Sequence, residues 1–218
     1  MAKTDRTGNR KKRSAFGTRK PELGNYLIVT DTDQTEENYL MGLKQALPDN
    51  LRNKIEIKVE KCDTKELVNT CLRLMRGDAQ YREPWIVFDR DRVPNFDKII
   101  EKAENNKIHV GWSNPCIETW FDAYFGEMPN YPESTVCCQK FAELYKRKTG
   151  REYSKSDKDI YAVLNRYGDE QKAIEIAKKR YQKHVKDGNT VPSEMCPCTA
   201  LHRLIDEIGQ KVTDHSSN

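Results

Sequence analysis

The segment that most constrains the fold is WIVFDRD, residues 85–91. Its first four residues are apolar and mostly β-branched or aromatic, Pro84 precedes them, and Asp89 and Asp91 follow at D-x-D spacing. A short apolar run between polar segments predicts a strand that is buried on both faces. Such strands belong to parallel sheets covered by helices, and in these sheets ligands bind beyond the carboxyl ends of the strands. The two aspartates fall at that end.

The D-x-D spacing suggests a metal site. Side chains two residues apart on a strand point the same way, so Asp89 and Asp91 are expected to lie side by side and to repel each other. A Mg²⁺ or Mn²⁺ ion would relieve this repulsion, because hard cations prefer oxygen ligands. The alternative is that the aspartates lie in a solvated turn, as acidic residues at strand ends often do.

The segments around this strand alternate between the two kinds of regular structure. Apolar runs predict strands at YLIV after Asn25, at KIEIKVEK (54–61), at WIVF and at IHVGW, and helical patterns begin near Thr35, Asp63 and Pro94. The alternating charges of 54–61 suit an edge strand. The βαβαβαβ order predicts right-handed crossovers and a parallel sheet.

After Asn114-Pro115 the pattern becomes helical, with an amphipathic segment CIETWFDAYF and no further predicted strand. The later helices are predicted near 136–148, 157–167, 169–186 and 199–210. The fold class is therefore α/β, a Rossmann-like parallel sheet of about four strands with a helical C-terminal half. The predicted organisation is a basic tail (1–22), an α/β core (23–127), a helical extension (128–212) and a frayed tail (213–218).

The distribution of charge and the cysteine content bear on possible partners and on the cellular compartment. Residues 1–20 hold eight basic residues and one acidic residue, whereas the rest of the chain holds 30 basic and 33 acidic residues. This tail should be disordered; it either contacts phosphates through its charge or is a solubilising arm. Seven cysteines without an export signal predict a cytoplasmic protein with free thiols. Cys137-Cys138 and Cys196-Pro-Cys198 lack a second pair at zinc-finger spacing, so buried structural thiols are expected.

Acidic and polar residues follow three of the predicted strands. Those after the first and fourth strands are Asp31, Asp33, Glu36, Asn114 and Glu118, and they join the D-x-D aspartates at one edge of a doubly wound sheet. Such a cluster favours a divalent cation and metal-assisted phosphodiester chemistry. The alternative is that the first two aspartates cap the helix that follows them. The sequence has neither GxGxxG nor GxxxxGK[ST], which argues against an ATPase or a dinucleotide oxidoreductase.

Three segments together resemble a known family. YLIVTDTDQTEENYL, WIVFDRD and SNPCIETWFDAYF, in this order and spacing, are similar to the RloB-like family of bacterial proteins, which carry a TOPRIM-type domain. A weaker similarity lies in CTALHRLIDEI, which looks like the closing helix of the family. The resemblance spans about residues 26–208, and its most specific part is the SNPxxE block.

The resemblance implies a Mg²⁺-dependent nuclease-type fold. By motif position, Asp31 would act as general acid/base, and Asp89 and Asp91 would hold the metal. Glu36 and Glu118 match further acids of the family pattern and would complete the metal shell. Relatives are associated with phage-defence or restriction loci and often accompany a partner ATPase, so such a partner is implied as well.

Two further positions bear on the predicted site, one on ligand binding and one on the rate of catalysis. Asn114, in the SNPxxE block, is expected to orient a ligand by hydrogen bonding. The family usually shows Glu-Gly where this chain has Asp31-Thr32. The aspartate is one methylene shorter, and a misplacement of about 1 Å can reduce a rate by ~10²-fold.

Three hypotheses follow from these observations. The first is a metal-dependent nuclease acting on DNA or RNA in antiviral defence, without membrane association. The second is a degenerate TOPRIM subunit that binds a nucleotide or nucleic acid as a sensor or adaptor, and the third is a structural protein without a site. Two basic clusters near aromatic residues would bind a nucleic-acid backbone in the first two cases, or are solvated helix faces; they contain Lys146, Arg147, Lys179 and Arg180.

Overall fold

The fold is described from a computed structural model of the chain. The described residues are 25–31, 34–52, 55–59, 63–77, 81–91, 93–131 and 133–216. The predicted basic tail and Asp33 lie outside these residues, as does Thr32.

The strands form one sheet in the order β2-β1-β3-β4-β5. They are β1 (Asn25–Thr30), β2 (Ile55–Val59), β3 (Tyr81–Asp89), β4 (His109–Asn114) and β5 (Cys198–Thr199). The pairs β1/β2, β1/β3 and β3/β4 are parallel, which confirms the predicted α/β class. β2 lies at an edge, as its charge pattern predicts. β5 pairs antiparallel with β4; the sequence did not predict it, because two residues are too short for a periodic signal.

The helices follow the predicted order. They are α1 (Thr35–Ala46), α2 (Asp49–Arg52), α3 (Leu67–Gly77), α4 (Phe96–Asn105), α5 (Glu118–Tyr124), α6 (Ser134–Thr149), α7 (Ile160–Tyr167), α8 (Glu170–Lys186) and α9 (Leu201–Ser216). Every residue of α5 is buried, so the prediction of an amphipathic helix is wrong there. α9 continues to Ser216, into the segment for which a frayed tail was predicted. None of the described helices is long and apolar enough to cross a bilayer.

The sheet is buried on both faces, as the apolar runs predict. Ile28 and Val87 face a cluster that includes Trp120, Phe141 and Leu204. Leu27, Val29, Ile86 and Phe88 point the other way, into a second cluster formed with α3 and α4. Because the first cluster contains side chains from α6 to α9, the predicted helical extension packs directly on the sheet of the α/β core.

A close helix contact reinforces this packing. α1 meets α7 at Gly42, where an added Cβ would lie 2.5 Å from the Cβ of Tyr161. Any larger residue would push the two helices apart at this point. The absence of a side chain at Gly42 therefore allows α7, in the helical half, to pack closely against α1, which begins beside the carboxyl end of β1.

Candidate functional site

A cavity of about 470 Å³ opens at the carboxyl ends of β1 and β3. The residues that line it are Asp31, Gln34, Thr35, Glu36, Thr64, Asp89, Asp91, Val93, Cys116, Ile117, Ser134 and Lys155. Glu118 is fully buried and does not line the cavity, but its charge acts on Asp89, which does. We call this cavity, with the carboxylates of Asp31, Glu36, Asp89 and Glu118, the acidic pocket.

Asp89 is the carboxylate whose pKa is raised by burial and by the charges of other acidic residues. It is the last residue of β3, and its Oδ2 accepts a hydrogen bond from the backbone N–H of Ile117 at 3.0 Å. Burial raises the pKa of Asp89 well above its usual range, and the charges of Glu36, Glu118 and Asp31 raise it further. Residues from two parts of the chain, the segment that follows β1 and the start of α5, therefore place negative charge around one carboxylate.

Asp31 lies just after β1 and is anchored by one hydroxyl. Burial raises its pKa, and the hydrogen bond that the Thr64 hydroxyl donates to Oδ2 opposes this rise. The other oxygen, Oδ1, is buried and has no hydrogen-bond partner among the described residues. Leaving a buried carboxylate oxygen unsatisfied costs free energy, so Asp31 presents an oxygen that a ligand would stabilise.

Glu118, the first residue of α5, is also half-satisfied. The hydroxyl of Tyr153 donates to its Oε1 at 2.8 Å, and the Nζ of Lys155 lies 3.8 Å from the same oxygen. Its Oε2 is buried and has no hydrogen-bond partner among the described residues. Tyr153 is held by ring contacts with Phe141 at 4.7 Å and Tyr145 at 5.6 Å between centroids. The helical half therefore fixes the orientation of this carboxylate.

Lys155 is the one cation among the described residues that line the acidic pocket. Its backbone carbonyl accepts hydrogen bonds from the Thr35 hydroxyl at 3.4 Å and the Asn38 side chain at 3.3 Å, which attach its loop to α1. Burial disfavours the charged amine, but the carboxylates of Glu118 and Asp89 outweigh this effect and raise the pKa of Lys155. A charged ammonium group thus stands among the carboxylates.

Asp91 lines the acidic pocket but is not placed as predicted. β3 ends at Asp89, and Asp91 lies in a turn with φ of 25°. The expectation that the two aspartates share one strand face is therefore wrong. The Asp91 backbone N–H donates to the carbonyl of Pro115 at 2.9 Å, and the Ser134 hydroxyl donates to Oδ1 at 2.6 Å. Asp91 is exposed at the rim, bonded to the first turn of α6.

Asn114 faces a second cavity, of about 450 Å³, which shares Asp91 and Ser134 with the acidic pocket. Its amide group donates to the carbonyls of Pro192 and Ser193, both at 3.1 Å. Both of its N–H donors are thus used to hold this segment, and it does not line the acidic pocket. A ligand-orienting role through these N–H groups would require the bonds to break, whereas the amide oxygen could still accept a hydrogen bond from a ligand.

The two basic clusters lie on helix surfaces. Lys146 and Arg147 are exposed on α6, and Lys146 pairs with Glu152. Lys179 is exposed on α8, with its Nζ 3.8 Å from Glu175. Arg180 is half-buried and donates to the carbonyl of Met128 at 2.9 Å, so it ties α8 to the linker before α6. None of the four lines the acidic pocket.

The aromatic residues of these clusters are not available for stacking. Tyr145 is 0% exposed and belongs to the main hydrophobic cluster. Tyr181 is half-buried, between Trp112 and the guanidinium group of Arg203, which lies 4.4 Å from its ring centroid. Both rings pack against other side chains of the protein, which leaves neither ring face free to stack on a base.

The sequence alone did not indicate several residues of the site. Thr64, Ser134, Tyr153 and Lys155 reach the carboxylates from loops and helix starts that carry no motif. Lys155 is one of many lysines in a polar stretch, so no pattern distinguishes it. Cys116 lies inside the SNPxxE block, and that position was the available signal.

The carboxylate oxygens of the acidic pocket are of the type that hard divalent cations bind, although no three of Asp31, Glu36, Asp89 and Glu118 place ligand atoms within 4.8 Å of one another among the described residues. Asp31 Oδ1 and Glu118 Oε2 are buried carboxylate oxygens without hydrogen-bond partners in the described part of the chain. Burial raises the pKa of Asp89, and repulsion from Glu36, Glu118 and Asp31 raises it further. Mg²⁺ and Mn²⁺ prefer such oxygen ligands and would remove this repulsion. The residues that could hold the ion are Asp31, Glu36, Asp89 and Glu118, with Asp91 at the rim.

Comparison with known proteins gives one match. The family model described as "RloB-like protein" matches residues 26–208 of the chain. This range covers all the described strands and helices except the first residue of β1 and the end of α9. No curated protein and no solved structure matches the chain.

Proposed function

The chain belongs to the RloB-like protein family, and from this premise and the acidic pocket we propose that it is a metal-dependent nuclease of TOPRIM type. The observation that supports the proposal is the convergence of four carboxylates at one sheet edge, two of them with unsatisfied buried oxygens. Phosphodiester hydrolysis needs a group that neutralises a phosphate and a group that moves a proton. The pocket offers candidates for both.

The protein residues divide into three roles in this proposal. Asp89, Glu36 and Glu118 would hold Mg²⁺ or Mn²⁺, with Asp91 completing the shell from the rim. The bound ion would supply charge neutralisation at the phosphate and a more acidic water. Asp31 would move the proton, since Thr64 fixes one of its oxygens and the other has no hydrogen-bond partner among the described residues.

Lys155 would contact the substrate phosphate. Its ammonium group lies at the pocket wall, 53% exposed, and its loop is attached to α1. Ammonium groups bind phosphate oxygens as point charges. The second cavity shares Asp91 and Ser134 with the acidic pocket. A nucleic-acid strand with its scissile phosphate in the pocket could therefore extend past Asp91 into it.

Substrate, partner and biological role are further parts of the proposal. DNA or RNA is the expected substrate, and an ATPase partner and a role in antiviral defence follow from the family resemblance. Asn114, Lys146, Arg147, Lys179 and Arg180 remain predicted binding residues. Of these, Arg180 already has a structural hydrogen bond and Asn114 has two.

The proposal is tested by nuclease assays on the purified full chain with Mg²⁺, with Mn²⁺ and with a chelator, using single- and double-stranded DNA and RNA. We expect metal-dependent cleavage that Asp89→Asn reduces by about 10³-fold, the rate equivalent of several kcal/mol of charge stabilisation. Glu101→Gln, an exposed acid on α4, is the matched control and should leave cleavage unchanged. Cleavage that survives chelation or the Asp89→Asn change would contradict the proposal.

The second candidate is a degenerate subunit that binds a nucleotide or nucleic acid without turnover. The observation that favours it is Asp31, which stands where the family has a glutamate and has one oxygen held by Thr64. Calorimetry separates the two candidates. Binding of a nucleotide or oligonucleotide with metal chelated, without turnover when metal is restored, would support the sensor. Binding that requires the metal and leads to cleavage would support the nuclease.

A further inference from the structure

Two cysteines and one glutamate meet at the wall of the acidic pocket. Cys116, Glu118 and Cys138 each offer one potential ligand atom, and these atoms all lie within 4.8 Å of one another. Cys116 precedes α5 and lines the pocket, whereas Cys138 is half-buried on α6. The sequence predicted structural thiols, because this grouping does not follow zinc-finger spacing.

The separation of the two sulfur atoms suits a metal ion. The Sγ atoms of Cys116 and Cys138 are 4.0 Å apart. A tetrahedral Zn²⁺ ion with Zn–S bonds of about 2.3 Å places two sulfur ligands about 3.8 Å from each other. A small side-chain adjustment would therefore bring both thiolates to ligand distance.

A second observation is independent of the sulfur geometry. Glu118 is 0% exposed, and its Oε1 already has Tyr153 and Lys155 as neighbours. Its Oε2 is buried without a hydrogen-bond partner in the described residues. A buried carboxylate oxygen of this kind, beside two thiols, is stabilised when it coordinates a cation.

We propose that Cys116, Cys138 and Glu118 form a site for a thiophilic divalent cation of the Zn²⁺ class. Thiolate ligands select such ions over Mg²⁺, and three protein ligands leave the fourth position for water from the pocket. Two thiolates, one carboxylate and the dication carry a net charge of −1, which the ammonium group of Lys155 offsets. The two thiol protons leave to solvent when the ion binds. This site shares Glu118 with the proposed Mg²⁺ site, so the two ions would compete for that carboxylate, but the Co²⁺ absorption test reports thiolate binding whether or not the protein cleaves nucleic acid.

Cobalt(II) is the probe that tests the site, because Co²⁺ occupies zinc sites and its bonds to thiolates give charge-transfer absorption in the near ultraviolet. The full chain, kept reduced with a phosphine, is titrated with Co²⁺ and then with Zn²⁺. We expect one equivalent of Co²⁺ to produce the thiolate band and Zn²⁺ to remove it. Cys138→Ser and Cys116→Ser should weaken Co²⁺ binding by at least about tenfold, and Glu118→Gln should weaken it while keeping the thiolate band.

Cys196→Ser is the matched control, because Cys196 is also half-buried but contacts Tyr131 and lies outside the group. This variant should bind Co²⁺ as the wild type does. Circular dichroism checks that each variant is folded; if Cys116→Ser does not fold, the half-exposed Cys138→Ser decides. The absence of a thiolate band in the folded wild type would overturn the proposal. A band that persists in Cys138→Ser, or one that is lost in Cys196→Ser, would overturn it as well.

Discussion

The acidic pocket and the basic faces of α6 and α8 carry opposite charges, and they differ in how those charges are held. The carboxylates of the pocket come from distant parts of the chain and are buried or half-buried, and burial together with the charges of Glu36, Glu118 and Asp31 raises the pKa of Asp89. The lysines of the two helices are close in sequence and exposed, and two of them pair with nearby acids, Lys146 with Glu152 and Lys179 with Glu175. Water already stabilises the exposed lysines, whereas the buried carboxylates need a ligand.

This difference indicates where a specific function lies. Exposed ion pairs contribute about 0–1 kcal/mol and tolerate substitution. Burying charges of the same sign close together costs free energy, and sites that contain such charges are candidates for function. We therefore expect substitutions in the acidic pocket to have large effects on activity and substitutions on the basic faces to have small ones.

The largest effect that we expect in this comparison comes from Glu118→Gln. The substitution keeps the shape of the side chain and its contact with Tyr153 but removes the charge. Metal-dependent cleavage should fall by about 10²- to 10³-fold, the loss typical of removing one group that stabilises charge in a transition state. Steady-state cleavage assays measure this. A fall in the cleavage rate of less than about threefold, far smaller than the expected loss, would show that Glu118 does not take part in metal-dependent cleavage.

The Asp122→Asn variant measures the free-energy cost of a buried carboxylate at a position that is not a proposed metal ligand. Asp122 is 1% exposed on α5, outside the residues that line the pocket, and burial raises its pKa from 3.8 to about 8. Because the pKa of Asp122 is higher in the folded than in the unfolded protein, its protonation contributes to the free energy of unfolding. This contribution is complete below pH 3.8 and is lost as the pH rises through about 8. The variant should therefore be more stable than the wild type by a few kcal/mol at pH 8, with little change in activity.

Thermal unfolding of the metal-free protein between about pH 4 and pH 8 tests this prediction. The stability difference between variant and wild type should grow with pH. Contributions from other groups cancel in the difference, including that of His202, whose burial lowers its pKa to about 4. Asp159→Asn, at an exposed acid, is the control and should show no such trend. A wild type that is as stable as Asp122→Asn at pH 8 would contradict the assignment.

Lys155→Gln tests the one cation among the described residues that line the pocket. Loss of a phosphate contact should raise KM by about tenfold, with a smaller change in kcat; the effect is modest because solvent screens a half-exposed amine. Lys158→Gln, an exposed lysine in the same loop, is the matched control. If both variants behave like the wild type, Lys155 does not contact the substrate.

The smallest effect is expected from the basic faces. Charge reversal of Lys146 and Arg147 together should weaken nucleic-acid binding by less than about tenfold and flatten its salt dependence, because fewer counterions are released. Lys179→Glu does the same test on α8 without disturbing the hydrogen bond of Arg180 to Met128. Binding isotherms at several salt concentrations measure both. A loss as large as that of Glu118→Gln would reverse the comparison between the two regions.

The sequence predicted the fold better than the details of the site. The apolar runs at β1 and β3 are long enough to identify buried strands, and the edge position of β2 follows from its alternating charges. The convergence of Asp31, Asp89 and Glu118 follows from parallel strands that end at the same edge. These features are set by periodicity and topology, which a sequence carries.

The remaining features depend on tertiary contacts that no local pattern encodes. Asp91 leaves the strand because its backbone bonds to Pro115 and its side chain bonds to Ser134. Lys155 reaches the pocket because its loop is attached to α1. The two cysteines meet because α6 packs beside α5, and their spacing in the chain does not indicate this contact.

The central claim is that the acidic pocket holds one divalent cation, bound by Asp89 with Glu36 and Glu118, while Asp31 moves the proton. Anomalous diffraction from crystals soaked in Mn²⁺ tests it most directly, because the ion is located independently of activity. We predict a peak within the acidic pocket, with oxygen atoms of Asp89 and at least one of Glu36 and Glu118 at about 2.1–2.2 Å. A pocket without a peak at saturating Mn²⁺, or a peak whose ligands exclude Asp89, would contradict the account.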